Sequence, residues 1–296
     1  MSKLFDKRDF LRLLGSAAVA APTAIIASEA TRKKPASEDV SVYDRVMQSR
    51  TIRCGYGVWP PFIVKNPNTG KLSGIFYDYM EALGQALNLK INWAEESGGH
   101  GDYIPSLKAG RIDAMCFSVW PNASRGQQVD FTMPVYYTAH YAYARADDKR
   151  FDNNLDAIND PPVTVVAIDG EMGALIAASD FPKAKKLELP ELSDQLQAFL
   201  SLTTKKADIF ITDTSTATEY EAANPGKIRQ VPAPAPLRVF RNTIAIAQKQ
   251  DQFRRMLDTA TEEMLSSGKM EKIIAKYERY PGTFLRVDPG YLNSNR

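Results

Sequence analysis

In the run SVWPNASRGQQVDF (118–131) an apolar segment ends at Trp120, a Pro121-Asn122 turn follows, and Arg125 stands just inside a predicted helix start. The open N–H groups of a helix N-terminus carry partial positive charge, so a cation there is disfavoured unless something negative comes to it. Ser118, Trp120 and Arg125 therefore read as a corner that receives an anion. Two other corners share the pattern of strand end followed by helix. VTVVAIDGEMGALIAAS (163–179) turns at Asp169-Gly170 and enters its helix through Glu171 and Met172, and ADIFITDTSTA (207–217) closes an apolar run on Asp213. A corner that receives an anion and one that carries an anion would together grip a small zwitterion. Trp59 offers a ring for a cleft wall, and His100 stands in the loop SGGHGDY. Each residue also has an ordinary use: Arg125 as partner of Asp130, Asp213 as a helix N-cap, Asp169-Gly170 as a turn, Trp59 in the core, His100 in solvent. Residue types alone leave both uses open.

Composition narrows the classes. With 296 residues, 44% of them hydrophobic, the chain can bury one large core or two modest ones. Lys+Arg 37 against Asp+Glu 35, with no basic block, argues against nucleic acid as a partner. Cys54 and Cys116 are the only cysteines, which excludes a disulfide scaffold and a Cys-rich metal site. One bridge is conceivable in an oxidising compartment, but both lie in apolar, strand-like runs, and the favoured expectation is two buried thiols. There is no H-E-x-x-H, no G-x-S-x-G and no P-loop, and Gly55-x-Gly57 lacks a third glycine in register, so no metal or cofactor is expected. At the N-terminus, KLFDKRDFLRLLGSAAVAAPTAIIASEA has a basic start, a short apolar stretch broken by Pro22, and small residues up to Ala30. That is the layout of an export signal cleaved near Ala30, and KRDFLR (7–12) resembles a twin-arginine signal with lysine in the first position. The expected location is the periplasm, with residues 31–41 as a polar tether.

The elements that must position the three corners repeat one order of strand, turn and helix. TIRCGYGVWPPF (51–62) reads as a strand closed by Pro60-Pro61. GIFYDYMEALGQAL (74–87) places Phe76, Tyr79, Met80, Leu83 and Leu87 at helical spacing. LKINWAEE alternates as a strand, YIPSLKAGRID is a short helix that stops at Gly110, and AMCFSVW (114–120) is apolar throughout, like a buried strand. A second unit follows PVYYTAHYAYARADD (134–148) with the strands VTVVAI, KKLELP and DIFITD and a helix after each. VPAPAPL (231–237) is a connection, NTIAIAQK (242–249) a returning strand, and amphipathic helices run from Asp251 to Tyr277. Alternating strands and helices predict α/β lobes built on mostly parallel sheets. In such sheets ligands sit beyond the carboxyl ends of strands, where all three corners lie.

The ordered series IRCGYGVWPPFIVKNPNTGKLSGIFYDYMEALGQAL, YIPSLKAGRIDAMCFSVWPNASRGQQVDFTMPVYY, ADIFITDTSTA and SSGKMEKIIAKYE resembles the extracytoplasmic solute-binding proteins (family 3) of polar amino acid ABC transporters. The likeness runs from about Thr51 to Tyr277. It implies a type II periplasmic-binding-protein fold with residues 42–137 and 238–296 as one lobe and 138–237 as the other. Hinge crossovers would lie near Tyr136–Ala139 and Pro236–Arg241. It further implies that Arg125 pairs with a ligand α-carboxylate, that Asp213 receives the α-ammonium from the opposite lobe, and that Ser118 touches the ligand while Trp59 and His100 wall it. The expected partner is a membrane ABC transporter permease, and the protein would act as a monomer. Three departures bear on the ligand: Glu171 and Met172 stand where Ser or Thr usually follows Gly170, Trp120 stands where a small polar residue is common, and Tyr56 where binders of basic amino acids often carry an acid. A basic amino acid, an amine or another amino-acid-like metabolite all remain open. The alternatives are a cyclohexadienyl dehydratase-like enzyme, with Glu171 as the general acid, and a ligand sensor for a separate membrane protein.

Overall fold

The computed structural model describes residues 40–98, 102–191 and 193–287. The expected export signal, the tether up to Asp39 and His100 lie outside the described residues. After helix α1 (Val42–Ser49) come strand β1 (Thr51–Tyr56), the small hairpin β2 (Val64–Lys65) and β3 (Leu72–Ser73), α2 (Ile75–Leu87) and β4 (Lys90–Glu96). Then follow α3 (Tyr103–Lys108), β5 (Ala114–Val119), α4 (Ala123–Gly126), β6 (Val129–Phe131) and the long β7 (Tyr136–Arg145). Next come β8 (Thr164–Ile168), α5 (Met172–Asp180), β9 (Lys185–Leu189), α6 (Gln195–Thr203), β10 (Ile209–Asp213), α7 (Thr214–Ala223) and β11 (Ile228–Gln230). β12 (Arg238–Ala247) returns to the first strands, and α8 (Asp251–Ser266) and α9 (Lys269–Tyr277) complete the elements.

One sheet runs through all of this in the order β4-β1-β5-β12-β7-β10-β8-β9, with β6 on β12 and β11 on β7. Parallel pairs, β1 with β4 and β5, β8 with β9 and β10, form its two ends. In the middle β7 and β12 run antiparallel, pairing Tyr136–His140 with Arg238–Asn242. Past that overlap β12 belongs to the first half, on β5 and β6, and β7 to the second, on β10 and β11. The two crossover segments expected from the sequence are thus hydrogen-bonded strands. The returning strand starts at Arg238, four residues ahead of the expected Asn242.

Apolar spacing accounts for the packing. On α2, Phe76, Tyr79, Met80 and Leu83 are fully buried against α8 and α9, and Leu87 is half-buried at the helix end. Tyr79 Oη and Thr261 Oγ1 satisfy each other at 2.6 Å inside this core. The second half has a core on each face of its sheet, one around Ile176 and Ile211, the other around Phe199 and Phe210. Its central strand β10 is buried along its whole length, as a strand covered on both faces must be. Gly173, in the first turn of α5, lies so close to β10 that a Cβ there would collide with the Ile211 carbonyl oxygen. That close approach fixes where the helix begins, and with it the corner at Gly170.

The two cysteines correct an expectation. They are joined in a disulfide, with Cα atoms 5.4 Å apart and both residues fully buried. β1 and β5 are neighbours in the sheet, with Cys54 opposite Ala114, so Cys116 lies two residues on along the same face, within bridging distance. Two apolar runs distant in sequence conceal that adjacency.

Candidate functional site

The segment after β1, the carboxyl end of β5 and the residues after β9 line a cleft with two adjoining chambers. The inner one, about 190 Å³, is walled from the first half by Trp59, Tyr103, Phe117, Ser118 and Arg125, and from the second by Glu191 and Ser193. The outer one, about 610 Å³, is framed by Val58–Pro61, Ser193–Gln195, Ser215, Thr216 and Glu219 and by the segment from Tyr277 to Phe284. Val58, Trp59 and Ser193 belong to both, so Trp59 stands at the passage between them.

Arg125 is positioned by α4. Asn122 caps this short helix, its Oδ1 accepting the Arg125 N–H at 2.9 Å, and the side chain folds back so that Nη1 donates to the Trp120 carbonyl at 2.9 Å. Nη2 reaches across the cleft to the Gly170 carbonyl, 3.5 Å away. Gly170 is at φ +77°, a left-handed conformation that suits glycine, and its N–H is held by Asp169 Oδ1 at 2.9 Å. Among the described residues the guanidinium bonds backbone carbonyls and no carboxylate. Asp130, the alternative partner, instead accepts from the Lys249 N–H. These bonds engage two guanidinium N–H groups, and Arg125 lines the inner chamber.

Ser118 and Trp120 share one acceptor: Ser118 Oγ and Trp120 Nε1 both donate to Asn242 Oδ1, the latter at 2.7 Å. Asn242 is fully buried in β12, and its amide donates to Thr138 Oγ1 at 3.2 Å. Trp120 lies along Phe240 and edge-on to His140, with centroids 6.2 and 5.3 Å apart. The indole therefore packs on the crossover strands and is absent from the inner-chamber wall. His140 is buried, its pKa pushed down to about 4 by loss of solvent, with the Asp213 carboxylate acting in the opposite sense. Its Nδ1 has no hydrogen-bond partner among the described residues.

Three expected site residues take other places. Asp213 is 4% exposed and turns into its own helix: its oxygens accept from the Thr216 N–H at 3.0 Å, from Thr216 Oγ1 at 2.7 Å and from Ser215 Oγ. It is the N-cap of α7 and lines neither chamber. Glu171 is buried and turned away from Arg125, both carboxylate oxygens within 2.7 Å of Gln195 Nε2. Met172 is 1% exposed and packs into the fold. A cap and a side-chain amide compete for a carboxylate at short range, and which wins depends on neighbours that the local sequence does not show.

The structure also brings in residues the sequence reading missed. Glu191 is the acid on the wall of the inner chamber, Ser193 also lines it, and the buried Asn242 holds the Ser118 hydroxyl. A polar Asn opening the apolar run NTIAIA was a signal for the last. Tyr103 also lines this chamber and is 3% exposed. Burial pushes its pKa up, and the Arg125 charge opposes that shift in part.

Residues 52–279 match the family described as bacterial extracellular solute-binding proteins, family 3. A "Probable histidine-binding protein" of Campylobacter jejuni is 29% identical over 168 residues, covering 56% of this chain and 61% of that protein. The chain thus spans less than two thirds of that relative's length. An "L-glutamate/L-aspartate-binding protein" of Pseudomonas aeruginosa is 23% identical over 284 residues, 92% of this chain and 90% of that protein. Among solved structures, an ancestral amino acid-binding protein described as a precursor of cyclohexadienyl dehydratase superposes with a TM-score of 0.67 at 24% identity, covering 80% of this chain and 99% of that one.

Proposed function

The chain belongs to the bacterial extracellular solute-binding proteins of family 3, and from that premise we propose that it captures an amino acid or amino-acid-like solute between the two halves of its sheet and hands it to a membrane ABC transporter. The observation that carries this reading is the inner chamber, where Arg125 from one half faces Glu191 and Ser193 from the other. A ligand carboxylate takes the open N–H groups of Arg125, and its ammonium turns toward Glu191. Asp213 is left to its helix. Residues 42–137 with 238–296 and residues 138–237 act as lobes, and the β7–β12 pair is the hinge between them. A ligand touching both lobes stabilises the closed arrangement, which already has Arg125 at the Gly170 carbonyl, and the transporter reads that closure. The protein works outside the cytoplasm and as a monomer.

The relatives' names place histidine and the acidic amino acids among the first solutes to try. For the dehydratase alternative, Glu171 would need to reach the bound ligand, and its carboxylate is instead held by Gln195 and faces neither chamber. A thermal-shift screen of the standard L-amino acids, their amines and small acids tests the proposal. A true ligand at about a hundred times its Kd adds roughly 2.7 kcal/mol to the folded state. A flat screen across the L-amino acids overturns the reading.

A further inference from the structure

The inner chamber is lined by a tyrosine whose hydroxyl is buried and has no hydrogen-bond partner among the described residues. Of the buried side-chain polar atoms left without a partner among the described residues, Tyr103 Oη is the one on a residue lining this chamber. The residue is 97% buried by the exposure given above, so water does not supply the missing bond from bulk. A buried hydroxyl left unpaired is costly, and such groups in folded proteins ordinarily have a partner. Burial raises the Tyr103 pKa, so the group is a neutral O–H donor at physiological pH, and it lies close enough for the Arg125 charge to be felt. The other hydroxyl at this end of the chamber, Ser118 Oγ, already donates to Asn242. On the facing wall the corner after β8 offers a backbone carbonyl, while Glu171 and Met172 are turned into the fold.

We propose that Tyr103 is a specificity-determining residue whose hydroxyl donates to the ligand oxygen held by Arg125, so that the guanidinium and the phenol together form the carboxylate-binding end of the site. This rests on the reading of the chain as an amino-acid binder and adds to it the class of group that must occupy that end: an oxyanion able to accept from two donors at once. Two donors on residues lining the same chamber suit a carboxylate and leave an amine or a methyl group at that position without a partner. The sequence hides this role, because Tyr103 sits among the apolar positions of YIPSL and reads as core.

Tyr103→Phe removes one oxygen and leaves the ring packing in place. The probe is whichever standard L-amino acid binds the wild-type protein most tightly by calorimetry. A hydrogen bond to a charged acceptor corresponds to roughly ten- to a hundred-fold in affinity, so Y103F is expected to bind the probe that much more weakly. The unliganded melting temperature should hold or rise, since the variant no longer buries an unpaired hydroxyl. The decarboxylated amine of the same probe should bind both proteins alike. Equal affinity of Y103F and wild type for the probe overturns the inference and leaves the binder reading intact. A fall of several degrees in the unliganded melting temperature also overturns it, since the hydroxyl would then serve the fold. Failure of every L-amino acid to bind the wild type overturns the binder reading and this inference with it.

Discussion

Replacing Arg125 separates a residue that holds the fold from one that holds a ligand. In the free protein its guanidinium makes one good bond, to the Trp120 carbonyl at 2.9 Å, and one at the limit of hydrogen bonding, to Gly170 at 3.5 Å. The residue is only half-buried, so the first contributes about 1 kcal/mol net and the second little. For a domain of this size that corresponds to a fall in melting temperature of about 2–4 °C in Arg125→Ala without ligand. A bound carboxylate changes the balance. A charge-assisted bidentate pair in a closed chamber contributes about 1.5–3 kcal/mol, or roughly ten- to 150-fold in Kd. Arg125→Lys keeps the charge and loses the planar fork, and should recover only part of that affinity. Calorimetric titration with the best-binding L-amino acid, run beside melts of the unliganded proteins, measures both quantities. The reasoning is refuted by an R125A protein that binds as tightly as wild type, or by a loss of stability large enough to account for the lost affinity.

Other consequences follow from the same geometry. The Cys54–Cys116 bridge spans 62 residues of sequence, so the double Cys→Ser variant should lose about 4 kcal/mol by the chain-entropy model, a drop of about 8–16 °C in melting temperature; an unchanged melt would mean that the bridge does not stabilise the fold. His140 stays neutral in the folded chain down to about pH 4, whereas the unfolded chain takes up its proton near 6.5. The unfolded state therefore binds more protons in that window, and stability falls as pH drops through it, by about 3 kcal/mol in all. Melts between pH 7.5 and 4 should show a smaller loss for His140→Phe than for wild type, and identical slopes would count against the assignment. Asp213→Ala should cost about 1–2 kcal/mol of stability as a lost cap and leave ligand affinity within a few-fold; a much larger loss of affinity would return Asp213 to the binding site.

Most of the scaffold was legible because its signals are local. The helix α2 follows from the spacing of Phe76, Tyr79, Met80 and Leu83, and β5 and β10 follow from unbroken apolar runs. The rule that strand ends carry sites pointed to Ser118 and Arg125, which line one chamber, and to Gly170, whose carbonyl lies 3.5 Å from the Arg125 guanidinium. What the sequence hid depends on neighbours far along the chain. The crossovers near Tyr136–Ala139 and Pro236–Arg241 were expected through the family resemblance, whereas their direct antiparallel pairing, β12 on the first five residues of β7, shows only in the fold. The cysteines became a bridge because the sheet order sets β1 beside β5.

The carboxylates show the limit most clearly. Asp213 and Glu171 both stand at strand ends, and both were read as facing the cleft. An aspartate at the first position of a helix can instead accept the helix's own N–H groups, and with Ser215 and Thr216 following it Asp213 finds three donors within three residues. Glu171 also opens a helix, but its longer side chain reaches Gln195, 24 residues on. With both acids drawn into the fold, the first half gives the chamber its donors, Arg125 and Tyr103, and the second half gives it Glu191 and Ser193. In the function proposed above, a solute with an acceptor at one end and a cation at the other would meet both sets of groups only when the halves are together, so that selection for charge pattern and selection for closure would be the same event.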